Sequence, residues 1–387
     1  MNPSKRMPPP GLATALAVFS VAVAAGVTAL DGREGPSVAQ ETDPAVQTAE
    51  LMPRVANSLI LDLAESGPRR IAVGERGHIL LSDDGRTWTQ VADVPTRSTL
   101  TGVTAVGDKV WAVGHDGVIV HSPDGGRTWQ RQRVAPFDEL SDALHNGAPL
   151  LDVKFLDENR GFAVGAFALM LRTDDGGTTW NEVPLSAATT RPAVEATEVE
   201  SALEGTEEPE VGEEITGNEE WVFDDSDLDL GEESDPHLNA IARTGDGSLF
   251  VVAERGAAYR SLDGGLNWER LTLPYKGSMF GVIGYEGRHV LAFGMRGTVL
   301  ESYDLGDTWA PVHAGTELSL MGGVGLGGGG AVLVGANGIV LTRSSGGTGF
   351  LAHNHSDESV LSSVLLLVPG SEVIVAGEKG LGTYVPN

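Results

Sequence analysis

No cysteine occurs among the 387 residues. Disulfides, thiolate metal sites, a cysteine nucleophile and lipid attachment through a thiol are therefore all excluded. Cations are scarce as well: 26 Lys and Arg face 54 Asp and Glu, for a formal charge of −28. Such a field repels nucleic acid and anionic lipid, so neither is expected as a partner. Beyond the first thirty residues there is no apolar run of membrane-spanning length. The run Val360 to Pro369 is too short and is bounded by a turn. Also missing are a Gly-x-Ser-x-Gly elbow, a His-Glu-x-x-His pair and a phosphate-binding glycine loop. What remains is 41% hydrophobic residues, enough for a packed core, and 52 glycines with no collagen period, which mark many turns.

Lys5 and Arg6 precede an apolar run from Leu12 to Leu30. Residues 1–29 read as an export signal cleaved after Ala29, with Ser37-Val38-Ala39 as a second cleavage candidate. Because the run approaches the ~20 residues that span a bilayer, a retained anchor is the alternative reading. Residues 30–47 read as a flexible segment. The expected location is periplasmic or otherwise extracytoplasmic, with no membrane insertion once the signal is removed.

Internal repetition organises the rest. The segments 72–88, 112–129, 163–180, 252–268 and 292–309 can be laid over one another, a sixth (334–350) is worn but in register, and a seventh (375–387) stops before its terminal aromatic. Trp88 to Trp129, Trp268 to Trp309 and Trp309 to Phe350 are each 41 residues apart. Each unit reads as four short strands; in the second they are Leu100–Val106, Lys109–Val113, Val118–His121 and Trp129–Val134. A unit of ~41 residues with four strands is blade-sized. The fold class is thus all-β: one seven-bladed β-propeller of four-stranded antiparallel blades over residues 48–387. Small residues before the first-strand valines (Gly102, Gly281, Gly323, Ser363) suit the crowded axis, with Asp152 at that place in the third unit. Thr48–Pro53 is expected to supply the outer strand of the last blade, closing the ring and leaving no open edge.

Two insertions interrupt the repeat. Residues 186–236 form an acidic one; from Glu195 to Asp235 there are 18 acids and no Lys or Arg, which predicts disorder or loose order. Trp221-Val222-Phe223 is its aromatic island. Asp225, Asp227 and Asp229 imitate a calcium loop, but Leu230 stands where that loop needs Gly. The acidic stretch is expected to fold as a screening flap over a basic face. In the smaller insertion, Pro136–Pro149, Phe137, Leu140 and Leu144 fall at helical spacing and predict a short helix.

The turn that closes each unit has the form S-x-D-x-G-x-T-W. Matches centre on Asp124 and Trp129, Asp175 and Trp180, Asp263 and Trp268 (with Asn267 for Thr), and Asp304 and Trp309. Asp83 and Trp88 are assigned to a first copy one residue short, and Ser345 and Phe350 replace Asp and Trp in the sixth. An Asp carboxylate can accept backbone N–H bonds in such a turn, Gly supplies positive φ, and Trp packs beneath. Equivalent aspartates in five places are a structural repeat, since one active site needs one constellation. No catalytic residue, metal or cofactor is assigned; His353-x-His355 with Asp357 reads as a polar loop.

These Asp-boxes, the G-x-x-G hairpin before each, and the stretches Leu-Asn-Ala-Ile (238–241) and Pro-Tyr-Lys-Gly-Ser (274–278) resemble the photosystem II stability and assembly factor family over residues 48–387. The resemblance implies a non-catalytic assembly or accessory factor for a membrane protein or complex, with efflux-type transporters as one client class, and a monomer. A secreted glycan-binding protein or sialidase-like hydrolase is the alternative. Against it stand the absence of Arg-Ile-Pro and the count of seven units. The hairpin tips read Glu75-Arg76, His115-Asp116, Ala166-Phe167, Glu254-Arg255, Met295-Arg296, Ala336-Asn337 and Glu378-Lys379. With Arg54, Arg97 and Lys276 from the blade connections, the cations Arg76, Arg255, Arg296 and Lys379 would share one face, either as a partner-binding patch or as ordinary solubilising charge.

Overall fold

The structure, a computed structural model, describes residues 43–185, 188–190, 235–368 and 372–385. The apolar N-terminal run, both cleavage candidates, the aromatic island, the imitated calcium loop and nearly all of the acidic insertion lie outside those residues. All described residues fall within one compact unit, Ala39–Asn387.

Seven antiparallel sheets follow one another along the chain, and the molecule is a seven-bladed propeller. The second blade is built from Leu100–Val106, Lys109–Gly114, Ile119–Ser122 and Gln130–Arg133, within a few residues of the sequence reading. Its inner strand belongs to a ring of seven: Ile60–Ser66, Leu100–Val106, Leu150–Phe155, Leu238–Arg243, Met279–Gly284, Leu320–Gly327 and Leu361–Val368. Each packs on the next, and the last returns to the first. Ser362 Oγ donates to Ile60 O at 2.7 Å and Ser363 Oγ to Asp62 Oδ1 at 2.9 Å, joining first and seventh blades. Second strands are sandwiched on both faces; Leu249–Ala253 and Val290–Gly294 are buried throughout. That burial is why their apolar residues do not alternate. In every blade but the fourth, where Ala253 stands at this place, the second strand ends in a glycine that closes on the adjacent connection: a Cβ on Gly114 would lie 2.0 Å from Thr99 O. Only glycine fits such an approach.

Four expectations are corrected. Thr48–Pro53 is not a strand of the last blade, whose sheet holds three strands, Leu361–Val368, Glu372–Gly377 and Gly380–Tyr384. The segment lies on the first blade instead: Ala49 N donates to Val94 O, and the Gln90 amide both donates to Glu50 O and accepts from Met52 N. These three bonds, with no amide donor on Pro53, hold it there. Second, Pro136–Pro149 contains no helix. The Asp138 N–H donates to Asn146 Oδ1, Asn146 Nδ2 donates to Asp138 O and Ser141 O, and Leu140 N–H donates to Asp138 Oδ1. Side chains take the backbone groups that a helix would have used. Third, the start of the acidic insertion is ordered at Thr189–Thr190, which pairs in parallel with Glu269–Thr272 as a fifth strand of the fourth blade. Fourth, register places Gly322, not Gly323, at the axial position of the sixth blade, since Gly322 pairs with Val334 as Gly102 pairs with Val113.

Candidate functional site

One end of the ring carries the Asp-boxes. In the second blade Ser122 Oγ donates to Asp124 Oδ1 at 2.8 Å and accepts from Gly126 N–H at 2.8 Å. The Thr128 N–H and hydroxyl donate to the two oxygens of the same carboxylate, and Trp129 Nε1 donates to Gly126 O. The carboxylate bonds recur at Asp175 and Asp304, and at Asp263, where Asn267 Nδ2 replaces the missing hydroxyl, while Nε1 of Trp180, Trp268 and Trp309 has no partner. In the first blade the acceptor is Asp84, not Asp83: Ser82 Oγ and the N–H groups of Arg86 and Thr87 converge on Asp84 Oδ1. The missing residue falls between Asp and Gly, so Asp84 keeps its offset from Ser82 while Asp83 points out and pairs with Arg69. Burial opposes ionisation at Asp263, yet the Asn267 and Ser261 donors pull its carboxyl down to about 2. A carboxylate so committed is an anchor for its turn and is poorly suited to acid catalysis. The tryptophans brace neighbouring blades: Trp268 packs on Phe162 and Trp309 on Phe250 of the preceding blade, edge to face.

The worn sixth box has a different brace. Arg343, where other boxes have Ser or Thr, is 2% exposed and makes two bonds to Glu301 of the fifth blade, at 2.7 and 3.1 Å. Glu301 also meets His289 Nε2 at 2.8 Å, and His289 stacks between Tyr285 and Tyr303. Burial resists the Glu301 charge, and the Arg343 guanidinium overcomes it, holding the carboxyl below its ordinary value. His353 and His355 diverge, toward Thr342 and Asp357 respectively. Among the described residues no group of three or more His, Asp or Glu is placed to hold a metal.

The opposite end carries the hairpin tips, and here the backbone is strained. Arg76, Asp116, Phe167, Arg255, Arg296 and Asn337 hold the same tip place in six blades, and all have φ between 54° and 57°. Asn tolerates this left-handed conformation; Arg and Phe do so at greater cost.

The seven proposed cations divide. Arg54 and Arg76 come together, lining a cavity of about 440 Å³ with Met52, Val55, Ser58 and His78. Burial pushes the His78 imidazole pKa down, and its Nε2 has no partner. Arg255 and Lys276 are also neighbours, because the Gly256 turn packs on Tyr275 O and Lys276 Cα. Arg296 is exposed beside the Ser319 hydroxyl, which accepts its backbone N–H. Arg97 and Lys379 are drawn inward by internal bonds. Arg97 Nε donates to Thr48 O and its guanidinium pairs with Glu50 at 3.0 Å, while Lys379 Nζ donates to Asp357 O. These contacts occupy both side chains.

The same end exposes Phe137, Leu140, Leu144 and Phe167 at 68%, 93%, 71% and 45%, joined through His145 Nε2 and Phe167 O at 3.0 Å. At the axis, one residue pair in from the tips, the Asp62 carboxylate is held between the inner strands of the second and seventh blades, within reach of the Asp152 charge. The Val103 and Ile241 N–H groups donate to them. Burial first, then the Asp152 charge, raises the Asp62 carboxyl to about 7. Sequence reasoning missed Asp62; aligning the inner strands would have found it, since Ile-Leu-Asp (60–62) and Leu-Leu-Asp (150–152) coincide. Chemically the end offers guanidinium groups for carboxylates or carbonyls, with apolar side chains beside them.

Comparison with known proteins agrees with this architecture. A family model described as photosynthesis system II assembly factor YCF48 matches residues 135–269. The photosystem II assembly lipoprotein Ycf48 of Prochlorococcus marinus is 34% identical over 36% of this chain and 40% of its own length. The protein of that name from Synechococcus sp. is 27% identical over 64% of this chain and 74% of its own. The first match thus spans less than half of that relative. Those relatives are named lipoproteins, whereas this chain has no cysteine to carry a lipid. Among solved structures, YCF48 bound to D1 peptide superposes with a TM-score of 0.58 at 16% identity, covering 89% of this chain and all of that one. YCF48 from Cyanidioschyzon merolae gives 0.56, also at 16%, over 88% of this chain and 98% of its own. Repeats and fold identify the chain as a seven-bladed propeller with Asp-box repeats, similar over residues 135–269 to the photosystem II assembly factor YCF48.

Proposed function

We propose that this propeller is a non-catalytic, extracytoplasmic assembly factor that docks on a membrane-protein complex through its tip end. The observation that carries the reading is the recurrence there of exposed arginines in left-handed backbone, together with the exposed Phe137, Leu140, Leu144 and Phe167. Arginine with apolar anchors is the composition of an interface centre. The relatives' names supply the client class, photosystem II assembly, and YCF48 bound to D1 peptide supplies a precedent for a polypeptide ligand. Export follows from the apolar N-terminal run.

The test is a triple Arg76→Glu, Arg255→Glu, Arg296→Glu variant, compared with the unaltered chain in affinity purification from membranes followed by mass spectrometry. The co-eluting membrane protein should be lost while the melting temperature stays within about 2 °C, because exposed charges contribute little to stability. Retention of the same partner by the triple variant would remove the tip end from the binding surface.

A further inference from the structure

Among the described residues the seventh blade is one strand short. Six blades hold four or five strands, whereas in the seventh no described strand pairs with the outer edge of Gly380–Tyr384. Register defines what that edge offers. In the first blade Val73 pairs with Ile79 and Ala72 with Leu80; in the seventh, Ala376 pairs with Leu381 and Val375 with Gly382. Leu381 and Thr383 thus hold the places of Ile79 and Leu81. In the first, third and fifth blades the fourth strand delivers one N–H to the start of the third strand: Val91 to Ile79 O, Val183 to Met170 O and Val312 to Val299 O, at 2.8 to 2.9 Å. The counterpart acceptor in the seventh blade is Leu381 O, followed along the edge by the exposed Thr383.

The other blades also define the occupant. Each of those valines stands three residues after a Trp (Trp88, Trp180, Trp309), and Leu271 follows Trp268 likewise. The segment that resembles such a strand, Thr48–Pro53, is held on the first blade. Outer edges of this ring do accept further extended chain, as Thr189–Thr190 shows on the fourth blade. We infer that the outer edge of the seventh blade is a β-augmentation site for an extended segment of a partner polypeptide bearing an aromatic residue and, three places on, an aliphatic one. Main-chain bonds to Leu381 and Thr383 give affinity, and the two side chains give specificity. This surface is distinct from the tip end and does not depend on it.

The probe is a fluorescein-labelled peptide, Trp-Thr-Gln-Val-Ala-Asp-Val, the chain's own residues 88–94, titrated into the full chain by fluorescence anisotropy. Saturable binding is expected. N-methylation of the first valine, which removes its donor, should weaken binding about tenfold. Thr383→Pro, which removes an edge N–H at a position where proline is tolerated, should weaken it similarly, and Thr383→Val should stay within about twofold. No binding to the unaltered chain, or equal binding by the N-methylated peptide, overturns the inference. Equal binding to a folded Thr383→Pro variant does so too. Should that variant lose its melting transition, the N-methylated peptide on unaltered protein decides alone.

Discussion

The two ends of this propeller are built from the same hairpins and spend them differently. At the box end the repeated carboxylates and the buried guanidinium are matched within the fold: Asp124 takes bonds from Ser122 and Thr128, and Arg343 pairs with Glu301. At the tip end the costs accumulate: arginines in left-handed backbone and an axial carboxyl raised to about 7. Repeated turns that satisfy themselves build a scaffold, and departures from local comfort collect where something else must bind. Substitutions should therefore act with opposite sign at the two ends.

The largest effect is expected at the box end. Glu301→Gln leaves the Arg343 guanidinium buried without a counter-charge, a loss of about 3 kcal/mol. Denaturant unfolding at neutral pH measures it. A loss below about 1 kcal/mol would mean that the pair is dispensable, and the contrast between ends would fail at its strongest point.

The axial carboxyl should respond the other way. The folded pKa of Asp62 is about 7 against 3.8 for the free group, so the folded state holds this proton more tightly. Its contribution is most favourable at low pH, falls as pH rises through the interval between those values, and is fully unfavourable above it. Asp62→Asn can still accept from Val103 N–H and donate to Ser363 Oγ, and it removes the charge. The variant should gain about 2 kcal/mol at pH 8 and show a flatter stability profile between pH 4 and 8. An unchanged profile would show that burial does not hold the proton on this group.

The propeller was legible because its evidence is repetition: seven copies of one pattern outweigh errors in any single strand. The box residues were legible for the same reason, and the slip from Asp84 to Asp83 occurred where the copy is one residue short. The misreadings elsewhere have a common physical cause. Thr48–Pro53 has the sequence of an outer strand, but the Gln90 amide holds it on the first blade. Phe137, Leu140 and Leu144 have helical spacing, but Asp138 and Asn146 claim the local backbone. Arg97 and Lys379 are cations on the expected face, yet carbonyls distant in sequence, at Thr48 and Asp357, occupy them. In each case a side chain settled a competition that periodicity and charge counting do not contain. The left-handed tips were equally hidden, because Arg is an unusual residue there and only the backbone angle exposes it.

That strain gives the smallest and most discriminating prediction. Arg296 has φ 55°, and Asn337 holds the equivalent tip of the next blade at the same angle. Arg296→Asn replaces a residue that resists the left-handed region with one that enters it readily, and loses only an exposed charge. The variant should be more stable by about 0.5 kcal/mol, read from paired denaturant curves. A destabilised variant would mean that the Arg296 side chain supports the fold, as box residues do. A stabilised variant that also loses its partner would show stability and recognition in opposition at one residue, which a solubilising charge does not produce.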